Sequence, residues 1–249
     1  MNFKENKAIA FLIVLGVLVL GYFLLSAKNG EEFFSLEDTN EQNTREEISI
    51  GDIDIKEENF TGSRAMITGE SELAKTAQKY IDDTVAEFKK MADTDVPDIR
   101  EKFGEDSPVA NYTIDIDARR ESAPKTDSII ISVYSYTGGA NGASSYRVFT
   151  SDKERGNILS LSDIIASDKK ETFIQMVKKE LLAWRPEGAE SLVVFEQDVD
   201  SLKFENLEDW SLDAENLILY FDKYEIGPGA LGAIVFPVPL SKFAPYLNR

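Results

Sequence analysis

The 249 residues carry 45 acidic and 27 basic side chains, a net charge of −18, with 43% hydrophobic and 29% charged residues. The hydrophobic share is that of a folded protein, and the acid excess repels phosphate backbones, which argues against nucleic-acid binding. There is no Cys and no His, so disulfides, thiolate nucleophiles, Ser-His-Asp triads and imidazole metal sites are closed to the chain.

Residues Ala8 to Leu25 form an uncharged apolar run. At helical rise it would reach roughly 27 Å, near the ~30 Å apolar thickness of a bilayer. Lys4 and Lys7 precede it and Glu31, Glu32, Glu37 and Asp38 follow, a positive-inside pattern that sends the remainder outside. The expectation is a cytoplasmic stub (1–7), a transmembrane anchor (8–27) and an acidic flexible tether (28–47). A cleaved signal peptide is the rival reading, disfavoured by the length of the run and by bulky Leu25 at the cut. The localisation expected is a single-pass membrane protein with an extracytoplasmic C-terminal domain.

Within the folded part, Ile48, Ile50, Ile53 and Ile55 suggest a strand with a slip at Gly51. Glu70 to Met91 reads as an amphipathic helix, with Leu73, Ala77, Tyr80, Thr84, Phe88 and Met91 on one stripe. Asp93 to Asp98, which includes Pro97, is expected to stop it in an acidic loop. Asn111 to Ala118 and Ser128 to Tyr136 alternate as a strand pair across a polar turn. Asp115 and Asp117 then belong to a solvated strand face. The loop Tyr136 to Ala143 holds three glycines around Asn141 and fits either a constrained crossover or a ligand cradle built from exposed amides. It lacks the Gly-Lys-Ser/Thr ending of a phosphate loop.

A strand over Ser145 to Thr150, a helical start at Ile158 to Ile165, and a second long helix near Lys169 to Trp184 follow. Ser191 to Phe204 gives no clear pattern. A hairpin of Trp210–Leu212 and Leu217–Phe221 turns at Asp213 to Asn216. A corner at Lys223 to Gly229 leads to an apolar strand, Leu231 to Phe236, expected in a covered sheet whose ladder ends at Pro237 and Pro239. Glu225 in that corner is expected to accept backbone amides and lock the turn.

Three segments carry a resemblance: Tyr-Thr-Gly-Gly-Ala-Asn-Gly (136–142), Leu-Ser-Leu-Ser-Asp-Ile-Ile (159–165) and Trp210 to Pro239. Together they resemble the domain at the C-terminus of RsiV anti-sigma factors, also found beside the catalytic domain of PdaC-type peptidoglycan deacetylases. Residues 48–126 resemble the small α+β module that usually precedes it. The resemblance implies a non-catalytic, wall-facing α+β domain, which in RsiV captures lysozyme. Asn141 stands where the family commonly has His, and Gly229 where it has Tyr.

The fold class expected is α+β: an N-terminal transmembrane helix, then a mainly antiparallel sheet packed with two long helices, in two closely associated modules (48–126 and 127–249). The function expected is binding of a cationic, lysozyme-like protein or of peptidoglycan glycan, with Gly138, Gly139, Asn141, Gly142, Tyr224, Glu225 and Gly229 near the contact surface. No cofactor or metal is expected, no nucleic acid, and any signalling partner is unspecified. The alternatives are a carboxylate-dependent glycan hydrolase using Glu225 with Asp222, and an envelope scaffold subunit without small ligand.

Overall fold

The computed structural model describes residues 47–186 and 193–248. Its first helix, α1 (Glu72–Phe103), starts where Ser71 Oγ accepts the Ala74 N–H at 3.2 Å, an N-cap followed by acidic Glu72. Leu73, Ala77, Ile81, Phe88, Ala92 and Val96 are buried along one face. The helix runs for 32 residues and passes through Asp93–Asp98, which corrects the expected stop. Ala92 and Val96 are fully buried, so the stripe continues beyond Met91 and its burial outweighs the roughly 3 kcal/mol cost of Pro97 in a helix interior. Gly104, at φ 94, ends the helix with its N–H on the Arg100 carbonyl at 2.8 Å.

Six strands form one sheet in chain order: β1 (Ser49–Lys56), β2 (Phe60–Thr68), β3 (Tyr112–Ser122), β4 (Thr126–Tyr136), β5 (Ala143–Asp152) and β6 (Ile158–Leu159). β2 and β3 are parallel, joined by α1 as the crossover, and the other neighbours are antiparallel. β2 is not marked in the sequence, because Phe60, Ala65 and Ile67 break the alternation that identifies a half-buried strand. The stripe of α1 lies on Ile114, Ile116, Ile129, Ile131 and Val133, each worth about 1.5–3 kcal/mol when fully buried. Since β3 and β4 are the arms of one hairpin, the sheet runs through the expected 126/127 boundary between modules.

The second sheet is antiparallel, in the order β7 (Trp210–Leu212), β8 (Asn216–Phe221), β9 (Ile234–Pro239). Asp213 Oδ1 accepts the N–H groups of Glu215 and Asn216 at 2.7 and 2.6 Å and closes the β7–β8 turn. β9 alternates buried and exposed residues, so one of its faces is open, which corrects the covered sheet expected. Pro237 and Pro239 lie within its ladder, where an edge strand tolerates them.

Four shorter helices complete the fold: α2 (Leu161–Ile164), α3 (Lys170–Ala183), α4 (Glu196–Ser201) and α5 (Leu240–Phe243). α3 buries Phe173, Ile174, Val177 and Leu181 but has only 14 residues. The expectation of two long helices in the folded part is therefore corrected: among the described residues α1 alone is long. The architecture is α+β, but no helix among the described residues is long and apolar enough to cross a membrane. The transmembrane helix therefore has no counterpart in the described fold. The expected stub, the anchor at 8–27 and the tether up to residue 46 lie outside the described residues.

Candidate functional site

The face of β3–β5 turned away from α1 is a ladder of cross-strand rows: Asp115–Tyr134–Ser144, Asp117–Ser132–Tyr146, Arg119–Ile130–Val148 and Glu121–Ser128–Thr150. The last two rows are covered by β7 and β8. Ile130 and Val148 cluster with Ile218 and Tyr220. Thr150 Oγ1 donates to the Trp210 carbonyl at 2.7 Å and lies 2.8 Å from Ser128 Oγ. Ser211 Oγ donates to Glu121 at 2.9 Å, and Arg119 donates to the Tyr220 hydroxyl at 3.1 Å. The first two rows stay uncovered. With Val133, Ser145 and Ala233 they line a recess of about 250 Å³, and Tyr146, edge-on to Tyr220 at 5.1 Å, stands between the covered and uncovered parts of the face.

Two loops with sequence-predicted site residues meet at the rim. The backbone N–H of Lys223 donates to the Ser144 carbonyl at 2.9 Å, and its Nζ donates to the Gly142 carbonyl at 2.7 Å. The Tyr134 ring lies against Gly142, and the Tyr224 ring against Gly229, where a Cβ would strike it in each case. Tyr224 is 59% exposed, with the Lys223 ammonium 5.1 Å from its ring centre. Among the described residues it is the one non-glycine with positive φ, at 74°. Glu225 Oε2 accepts the Asp222 N–H at 2.8 Å while its own N–H reaches the Asp222 carbonyl at 3.1 Å. Gly142, Tyr224, Glu225 and Gly229 are thus brought together. Gly138, at φ 79 and pressed on the Val109 carbonyl, sits with exposed Gly139 and Asn141 at the outer end of the loop.

Beside the recess, carboxylates complete the edge of β5 where short β6 does not reach. The Tyr146 N–H donates to Asp222 Oδ1 at 2.8 Å and the Val148 N–H to Asp209 Oδ1 at 2.6 Å. Burial pushes the Asp209 carboxyl up to about 6; the Val148 N–H and Arg147 oppose the rise, while Asp222 and Glu208 add to it. Partial burial also raises Glu225, opposed by the Asp222 N–H and reinforced by the charges of Asp222 and Asp209.

A glycoside hydrolase needs two carboxyls flanking the scissile bond. Here Asp209 and Glu225, the raised acids, accept backbone N–H groups and lie outside the recess lining. Asp115 and Asp117 are neighbours on one strand face rather than opposed. The site presents an acidic recess with aromatic walls and a rim of pinned loops. Sequence alternation had already placed Asp115 and Asp117 outward. It carried no sign that a hairpin a hundred residues later covers half of that face and leaves the other half as a recess.

Residues 162–241 match the model of the DUF3298 family, described as a protein of unknown function. The crystal structure of a DUF3298 family member from Bacteroides fragilis NCTC 9343 is similar over 82% of this chain and 95% of its own, at 17% identity and a TM-score of 0.57. A DUF3298 family protein from Pseudomonas aeruginosa PAO1 is similar over 82% and 94%, at 16% identity and a TM-score of 0.53. No curated protein matches the chain. No catalytic family is indicated, and likeness at such identity speaks for the fold alone. Residues 162–241 thus match a DUF3298 domain of unknown function, and the fold of the chain is similar to solved structures from that family.

Proposed function

We propose that the chain is a non-catalytic, extracytoplasmic binding domain that grips a cationic envelope protein of the lysozyme kind. The observation that carries this reading is Tyr224. A left-handed backbone costs an L-residue roughly 1–2 kcal/mol that glycine avoids, yet this position holds an exposed tyrosine at φ 74. Strain held at an exposed aromatic supports a role for the ring in contact. The net charge of −18 would speed encounter with a basic partner. The resemblance of 136–142, 159–165 and 210–239 to the RsiV C-terminal domain supplies the candidate, and the outward location rests on the positive-inside pattern of the sequence. Cell-wall glycan is the second reading, favoured by the exposed rings of Tyr134 and Tyr224.

The test is retention of lysozyme and of purified peptidoglycan by the immobilised full chain at low and high salt, for the natural chain and Tyr224→Gly. The expected result is retention of lysozyme at low salt, weaker at high salt, and lost in the variant without a drop in melting temperature. Retention of peptidoglycan alone would move the reading to glycan. Retention of neither at low salt overturns it.

A further inference from the structure

We propose that the recess on the uncovered half of the sheet face receives a basic side chain, a guanidinium above all, from a protein partner, with Asp115 and Asp117 as its counter-ions. This rests on the binding reading above and names what the site takes.

Asp115 and Asp117 are two apart on β3 and face the same way, which sets them about 6.6 Å apart along the strand. A guanidinium presents five N–H donors in a planar fork, and a pair of carboxylates so spaced can share them. Asp115 has one oxygen engaged, by Ser63 Oγ at 2.9 Å. The exposed Asp117 carboxylate has no hydrogen bond or ion pair among the described residues. No Lys or Arg lines the recess. Two cations on elements around the recess are engaged elsewhere: Arg119 with the Tyr220 hydroxyl at 3.1 Å and Glu121 at 3.4 Å, and Lys223 with the Gly142 carbonyl at 2.7 Å. Among the described residues, no basic side chain pairs with either carboxylate.

The walls suit the same guest. Tyr146 is fixed by its edge contact with Tyr220, and Tyr134, 43% exposed, lies over Gly142; aromatic rings beside a carboxylate favour a planar cation. A hard metal ion needs six or more oxygen ligands, and no acidic group of three or more that could hold one occurs among the described residues. A neutral sugar would gain nothing from the field of an acidic chain, whereas a guanidinium gains from both field and carboxylates.

Calorimetric titration of the full chain with tri-arginine amide tests this, with tri-citrulline amide as the isosteric uncharged control and an N-acetylglucosamine tetramer as the sugar. The variants are Asp117→Asn and Glu154→Gln, the second removing the same charge from the exposed turn at the far end of β5. Tri-arginine should bind, with tri-citrulline and Asp117→Asn each weakening binding about tenfold or more and Glu154→Gln changing it less than about twofold. Binding should also move the ring NMR signals of Tyr134 and Tyr146. Equal losses in the two variants, or unmoved rings, would reduce the effect to net charge and overturn the assignment. If the tetramer shifts the rings and tri-arginine does not, the cation pocket falls while a binding domain stands. If no small probe binds but lysozyme is retained, the pocket again falls alone.

Discussion

Asp209 provides the sharpest test of how the two sheets are joined. Its carboxyl is 18% exposed, accepts the Val148 N–H at 2.6 Å, and has Arg147 at 3.7 Å. Asp222 and Glu208 nearby carry the same sign of charge. Burial dominates and lifts its pKa from 3.8 to about 6, a displacement worth about 3 kcal/mol between protonation states. The folded chain therefore holds the proton to higher pH than the unfolded chain does. This contribution to stability is complete below about pH 4 and is lost as pH rises through 6. Asp209→Asn keeps an oxygen for the Val148 N–H and removes the ionisation. At pH 7 the variant should be more stable by about 1–3 kcal/mol, allowing for the lost Arg147 pairing. That corresponds to roughly 2–10 °C in Tm for a domain of this size. At pH 4 the two proteins should melt together. Urea unfolding followed by fluorescence from pH 4 to 8 reads this directly, since Trp210 next door is 2% exposed. The difference between the two proteins cancels the titration of acids that do not feel the Asp209 charge; Glu225, which does, adds to it with the same sign. A variant less stable at pH 7, or a difference that does not change with pH, would refute the reasoning.

Glu225→Ala should lower stability by about 1 kcal/mol by stranding the Asp222 N–H, and Glu225→Gln should restore it, as a thermal scan would show. Thr150→Val removes the donor to the Trp210 carbonyl and the partner of Ser128; about 1–3 kcal/mol should be lost in chemical denaturation, because both stranded groups are buried. Pro97→Ala returns an N–H to the interior of α1 at an exposed position. It should raise stability by about 1–3 kcal/mol, and an unchanged melting temperature would mean the helix had already adapted to the proline.

What the sequence disclosed was local. The apolar stripe from Leu73 marks α1, alternation marks β3 and β4, and Asp213 to Asn216 marks the β7–β8 turn. Glu225 in its Gly-rich corner does accept a backbone N–H. What stayed hidden depends on distant partners. Asp93 to Asp98 has the composition of a loop, yet Val96 meets the sheet and the helix goes on. Phe60 to Thr68 lacks alternation because it lies between an edge strand and a parallel neighbour. The recess exists only because β7 and β8 settle on half of one face, a fact that no window of sequence contains.

The surplus of acid is not a uniform coat of solvated charge. Asp209 and Asp222 occupy the N–H groups of β5 that a neighbouring strand would otherwise take, and an open edge of that kind invites pairing with another chain. In closing the edge they tie the two ends of the β7–β8 hairpin to β5, beside the rows of the sheet face that it covers. Asp209, whose burial sets the pH response, is thus also one of the two carboxylates that close this edge beside Tyr146. Stability and the proposed recognition would then be coupled through one strand edge. A substitution that loosens Asp222 should disturb the binding of a basic ligand even though Asp222 does not line the recess, while one at Asp117 should leave the fold as stable as before.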